Sequence, residues 1–195
     1  MPPLKDNRDV FKNKYRIASS RLPTWDYSSN GLYFITICIK DRQHYFGKII
    51  NDEMVLNEIG KVAAYYWSEI PKHFKFVSLD EFQVMPNHFH GILKITNSIE
   101  IETGQILSAQ SLLSSQQPSN DLPHPRFRNQ GKNTISSIVG SYKSSVKKHI
   151  KSLDLEFGWQ TRFHDHIIRS HDEFIRISNY VVNNPRLWKE DRFYS

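Results

Sequence analysis

Within Pro86-Asn87-His88-Phe89-His90-Gly91 two histidines stand two residues apart. On a β-strand alternate side chains share a face, so His88 and His90 point one way and Phe89 the other. Two imidazoles on one sheet face can chelate a divalent cation through lone pairs at about 2.0–2.2 Å. They can equally stand as an ordinary pair on a solvated face. Farther along, Arg176, Tyr180 and Asn184 recur at i, i+4 and i+8. On a helix such residues drift by only about 40° per step and form one line. Phe174, Ile177 and Val181 make the neighbouring apolar stripe, which puts Tyr180 at the boundary of core and polar face. Tyrosine at such a boundary commonly serves packing. A third group, His164-Asp165-His166 with Arg162 and Arg169 nearby, offers another imidazole pair. Phosphate contact, a structural hydrogen bond and a second metal site all fit it.

The elements that must carry these residues follow from the hydrophobic pattern. Leu32 to Ile39 is β-branched and aromatic throughout, which predicts a central strand with Cys38 as a small core residue. From Leu56 to Phe74 apolar residues recur at helical spacing through Ile59, Val62, Ala63, Tyr66, Trp67 and Ile70. Strands are expected over 76–84 and 88–95, separated by the Met85-Pro86-Asn87 break. A second amphipathic helix carries Ile135, Val139, Tyr142, Val146 and Ile150, with Lys143, Lys147 and Lys151 on another face. A strand lies within 159–168, and Ser170 and Glu173 fit a capping box opening the last helix. That helix must stop near Asn184, ahead of Pro185. Strand, helix, strand, strand, helix, strand, helix is an α+β order. It predicts a ferredoxin-like antiparallel sheet with helices packed on one face. Residues 1–30 read as an N-terminal arm and 31–195 as one domain. Its Ser-, Gln- and Pro-rich stretch 97–131, 35 residues long, reads as a flexible insert.

The 195 residues carry a net charge of +6, unevenly spread. Residues 1–30 hold +3, residues 31–125 hold −3 and residues 126–195 hold +6. Basic ends flanking a mildly acidic middle fit a face for a polyanion as well as an ordinary basic surface. Hydrophobic residues at 38% exclude wholesale disorder. The single cysteine excludes an internal disulfide framework. No apolar run reaches the roughly 20 residues of a membrane span, and MPPLKDNRDVFKNKYR lacks the apolar stretch of a secretory signal. A cytoplasmic protein with no membrane partner is the expectation.

The stretches RLPTWDYSSNGLYFITICIKDRQHYFG, VMPNHFHGIL and ISNYVVNNPRLW, in that order, resemble the REP-associated tyrosine transposases. These belong to the HUH single-strand transposases, HUH meaning His-hydrophobe-His. The likeness runs from about Arg21 to Phe193, interrupted by the insert. A lone His-x-His is weak. MPNHFHG followed by a tyrosine four residues ahead of an Asn-Pro is far more specific. The resemblance implies a nucleophilic tyrosine on a C-terminal helix, falling on Tyr180, and a metal-binding pair falling on His88 and His90. A further metal ligand one turn after the tyrosine falls on Asn184. His166 matches a recurrent histidine with no assigned role. Tyr142 is the nearest rival to Tyr180, but it lies in an apolar stripe and lacks the Asn-Pro context.

The activity so implied is metal-dependent cleavage and rejoining of single-stranded or hairpin DNA, through a 5′-phosphotyrosine on Tyr180. Two nitrogens and one amide oxygen favour Mn²⁺ over Mg²⁺, although cellular abundance keeps Mg²⁺ in play. No general base for Tyr180 is evident in the sequence. Lys143, Lys147, Lys148, Lys151, Arg162, Arg169 and Arg176 are candidate backbone contacts, and Trp25 and Tyr27 are candidates for base stacking or for pinning the arm. Two other readings stay open: a catalytically silent hairpin-binding regulator, and a metal phosphoesterase that activates water. Monomer and homodimer are undecided. The transposase reading requires the hydroxyl of Tyr180 to converge with the two imidazoles.

Overall fold

A computed structural model describes residues 25–97 and 133–195, with the backbone alone of a short ladder between Val10–Phe11 (β1) and Lys14–Tyr15 (β2). Most of the expected arm (1–30) and nearly all of the expected insert (97–131) lie outside the described residues.

Strand β3, Gly31–Cys38, runs through the middle of a four-stranded antiparallel sheet. It pairs on one side with β7, His88–Ile95, and on the other with β8, His164–Ile168. Strand β6, Val77–Val84, closes the far edge beyond β7. Helix α1, Glu58–Ser68, connects β3 to β6, and helix α3, Ile135–Ser152, connects β7 to β8. With the order β6-β7-β3-β8, this is the ferredoxin-like arrangement.

Alternation along the strands divides the residues between two faces. Tyr33, Ile35, Ile37, Phe89, Leu93 and Ile95 join the apolar stripes of α1 and α3 in one continuous core. Gly91 lies within this layer, where a Cβ would meet the Trp67 ring at 2.4 Å. Its lack of a side chain thus serves core packing. The C-terminal helix α4, His171–Asn183, crosses the other face, burying Ile177 and Val181 against Ile92 and Ile168. The two crossover helices therefore cover one face, and the helix carrying Tyr180 covers the face on which the histidines stand.

Local details depart from the expected elements. The helix expected over 56–74 breaks at Glu69, and Pro71 starts a short second piece, α2, Ile70–His73. A hairpin of β4, Gly47–Ile50, and β5, Glu53–Leu56, occupies a stretch that shows no strand pattern. Its turn residues Asn51 and Asp52 both have left-handed φ, as a two-residue hairpin loop requires. Only the end of the 159–168 stretch forms a ladder, and Trp159 makes an isolated bridge with Ile39. The α4 cap is asymmetric. Ser170 Oγ accepts from the Glu173 amide, but the Glu173 carboxylate accepts from the Arg169 amide and bonds His166 instead of returning to Ser170. Among the described residues no helix is long and apolar enough to cross a membrane.

Candidate active site

His88 and His90 stand side by side on β7, 0% and 1% exposed, with their Nε2 atoms 3.0 Å apart. Their outer nitrogens determine what the inner ones offer. Asn87 donates through Nδ2 to the Phe193 carbonyl at 2.8 Å, which leaves Oδ1 to accept from His88 Nδ1 at 2.9 Å. His88 therefore presents a lone pair at Nε2. Thr36 Oγ1, directly across the ladder, bonds His90 Nδ1 at 2.9 Å and can hold that ring in the same tautomer. Partners of this kind orient metal-ligating histidines. Burial also keeps both rings neutral. Desolvation pushes His88 down to about 4, with Arg192 and Arg42 adding to it and Asp191 opposing it. His90 is held well below the ordinary imidazole range by burial and then by His88.

Tyr180 reaches this pair from α4. Its hydroxyl lies 3.3 Å from His90 Nε2, and its ring packs edge-on against His90 and Phe34. The same hydroxyl donates to Asp191 Oδ2 at 2.9 Å. Burial, followed by the Asp191 carboxylate, raises the phenol above its usual range, so Tyr180 rests protonated. Asp191 arrives because the chain turns back after Pro185 through a 3₁₀ turn, Trp188–Glu190. It also accepts from the Asn184 side-chain amide at 2.7 Å. Phe193 then lies over the His88 ring at 4.7 Å between centroids, and Trp188 packs beside it at 5.8 Å.

This donor set fits a divalent cation. Ligand atoms of His88, His90 and Asp191 lie within 4.8 Å of one another. Asn184 Oδ1 is buried without a hydrogen-bond partner, an arrangement that costs roughly 1–3 kcal/mol unless something fills it. Two neutral imidazoles, a carboxylate and an orphaned amide oxygen suit a metal bound through mixed N and O ligands.

The remaining sequence candidates are scattered. Lys143 Nζ donates to the Gln160 carbonyl at 2.6 Å and is half-buried over Trp159, so it is committed to holding the 160–162 loop. Lys147, Lys148 and Lys151 are exposed on α3, behind the sheet from the histidines. Arg162 and Arg169 are exposed at the two ends of β8. His166 is engaged with Glu173 at 2.8 Å. Arg176, with Asn179, Asn183, Arg186 and Asp52 of the hairpin turn, lines a cleft of about 560 Å³ beside Tyr180. Trp25 Nε1 donates to the Tyr33 hydroxyl and Tyr27 packs on the same ring, so both pin the end of the arm to the sheet. Sequence reasoning missed Thr36, Asn87 and Asp191. Asn87 adjoins the motif and Thr36 is the one aliphatic hydroxyl in an apolar strand, whereas nothing in the sequence marks Asp191.

No family model matches the chain. A solved REP-associated tyrosine transposase bound to a REP hairpin superposes with a TM-score of 0.53 at 16% identity, over 87% of this chain and 73% of that one. An uncharacterized protein of Haemophilus influenzae is 37% identical over 180 residues, spanning 90% of this chain and 92% of the relative. The chain therefore belongs to one family with the Haemophilus influenzae protein, and it has the fold of the REP-associated tyrosine transposase.

Proposed function

We propose that this protein is a metal-dependent single-strand DNA endonuclease and strand transferase, in which Tyr180 attacks a phosphodiester and keeps the 5′-phosphate. The observation that carries this reading is the meeting of a phenol, two neutral imidazoles and a carboxylate, with Tyr180 Oη 3.3 Å from His90 Nε2 and 2.9 Å from Asp191. The fold relative's complex with a REP hairpin supports hairpin DNA as the substrate.

His88, His90, Asp191 and Asn184 would hold Mn²⁺ or Mg²⁺, which when bound polarises the phosphoryl group and offsets charge on the departing oxygen. A phenol that rests protonated is a poor nucleophile and needs a proton acceptor as it attacks. Asp191 Oδ2 is that acceptor, and it supplies the base that the sequence does not reveal. The Tyr180–phosphorus ester forms as the bond to the 3′-oxygen breaks, and the phenolic proton passes to Asp191. Because the new ester retains the phosphodiester's energy, another 3′-hydroxyl can reverse the step and join a different strand.

The test is a labelled single-stranded hairpin oligonucleotide incubated with Mn²⁺ and resolved under denaturing conditions. The wild-type protein should form a covalent adduct, and Tyr180→Phe should reduce it to background. Cleavage that persists in Tyr180→Phe without an adduct would assign the reaction to water instead.

A further inference from the structure

On the side of the histidine pair away from Tyr180 lies a second cleft, of about 400 Å³, between the β3 end and the loop before β8. Lys40, Arg42, Trp159, Thr161, His164 and Phe193 are among its lining residues. It adjoins the site directly, because Cys38 in its wall is the ladder partner of His88 and the Phe193 ring borders both. Two guanidinium groups, Arg42 and Arg192, stand over that ring at 5.9 and 4.5 Å. His164 shares the sheet face of His90, each being opposite Thr36 in the ladder.

Both walls are held in place. Asp41 and Arg42 each adopt a left-handed φ of 54°, which disfavours non-glycine residues and directs the Lys40–Arg42 turn. The Lys40 amide ties that turn to the Gly158 carbonyl at 2.9 Å, and Lys143 fixes the opposite loop through Gln160. Within the cleft the one carboxylate is Asp41, 3.9 Å from Lys40 at the exposed rim.

We infer that this cleft seats a single DNA strand on the leaving side of the cut, with phosphates on Lys40, Arg42 and Arg192 and bases against Trp159 and Phe193. The inference rests on the Tyr180 reading. Tyr180 approaches from the His90 end of the pair and the cleft opens at the His88 end. In-line displacement sends the 3′-oxygen away from the phenol, so the segment that departs with a free 3′-hydroxyl runs past His88 into the cleft. The segment retained on Tyr180 faces the opposite cleft, with Arg176 and Arg186.

Binding is measured in the Tyr180→Phe protein, with fluorescent oligothymidylate across a salt series. Adding Lys40→Ala and Arg42→Asn, the asparagine chosen to tolerate the left-handed backbone, should lower the log-log salt slope by about 1.4, at about 0.7 per lost phosphate contact. The paired substitution Lys61→Ala and Lys72→Ala, at exposed positions of α1 and α2, should leave it unchanged. Equal slopes in all three proteins, or the same fall in both multiple variants, would overturn the cleft. A second readout needs no cleft substitution: 4-thiothymidine placed 5′ of the cut should photocrosslink to the peptide containing Trp159, and crosslinking only from the 3′ side would reverse the assignment. Adduct formation by the wild-type protein is scored separately. Loss of that adduct would sink the tyrosine reading, whereas an intact adduct with unchanged slopes would sink only the cleft.

Discussion

Strand β7 turns Phe89, Leu93 and Ile95 to one face of the sheet and His88, His90 and Ile92 to the other, and both faces are sealed from water. Behind Phe89 the cover is Trp67, Tyr142 and the rest of a continuous apolar core, which needs only the removal of apolar area from water to explain it. Over the histidines the cover is Tyr180, Trp188, Asp191 and Phe193, and what it seals in is polar. Burying two imidazoles, a threonine and an asparagine with an unpaired oxygen contributes little to stability and costs desolvation. One face is accounted for by folding. The other is accounted for by what it is shaped to hold.

The contrast can be broken in several ways. Asp191→Asn keeps the shape of the histidine face but removes the proton acceptor, and adduct formation should slow by about 10²–10⁴-fold in a single-turnover assay. An unaffected rate would remove Asp191 from the chemistry. On the apolar face, Phe89→Ala should cost about 3–5 kcal/mol of unfolding free energy by chemical denaturation, and a cost below about 1 kcal/mol would mean that the core is not built as described. Mn²⁺ should act on the polar face alone. At a hundredfold excess over its dissociation constant it should stabilise the wild-type protein by about 2.7 kcal/mol, and His88→Ala should lose that gain. A further effect is with pH. Burial holds His88 near 4 against an ordinary 6.5, so on acidification the unfolded chain takes up the proton first. Stability of the metal-free protein should be full above about pH 6.5 and decline as pH falls from there towards 4, with a shallower decline in His88→Ala.

The apolar face was the more legible in sequence. Alternation through Tyr33, Ile35 and Ile37 and helical spacing through Val139, Tyr142 and Val146 are periodic signals, and the sheet order follows from the order of elements. That His88 and His90 share a sheet face and that Tyr180 lies at the edge of a helix's apolar stripe was legible for the same reason, whereas the roles expected of them came from the resemblance alone. The hairpin at 47–56 was not, because four-residue strands joined at Asn51-Asp52 leave too short a pattern. Asp191 lay beyond reach as well. It follows an irregular turn, and only the tertiary fold brings it to Tyr180. Lys143 illustrates the converse: its regular spacing with Lys147 and Lys151 marks a helix face, yet the fold spends its charge on backbone carbonyls.

The proposed reaction turns on which atom takes the phosphate. Protease digestion of the wild-type adduct and mass mapping of the nucleotide-bearing peptide measures this directly. The modification should fall on Tyr180 within the α4 peptide. A nucleotide found on Tyr142, on another side chain, or on no residue of a protein that still cuts the strand would contradict it.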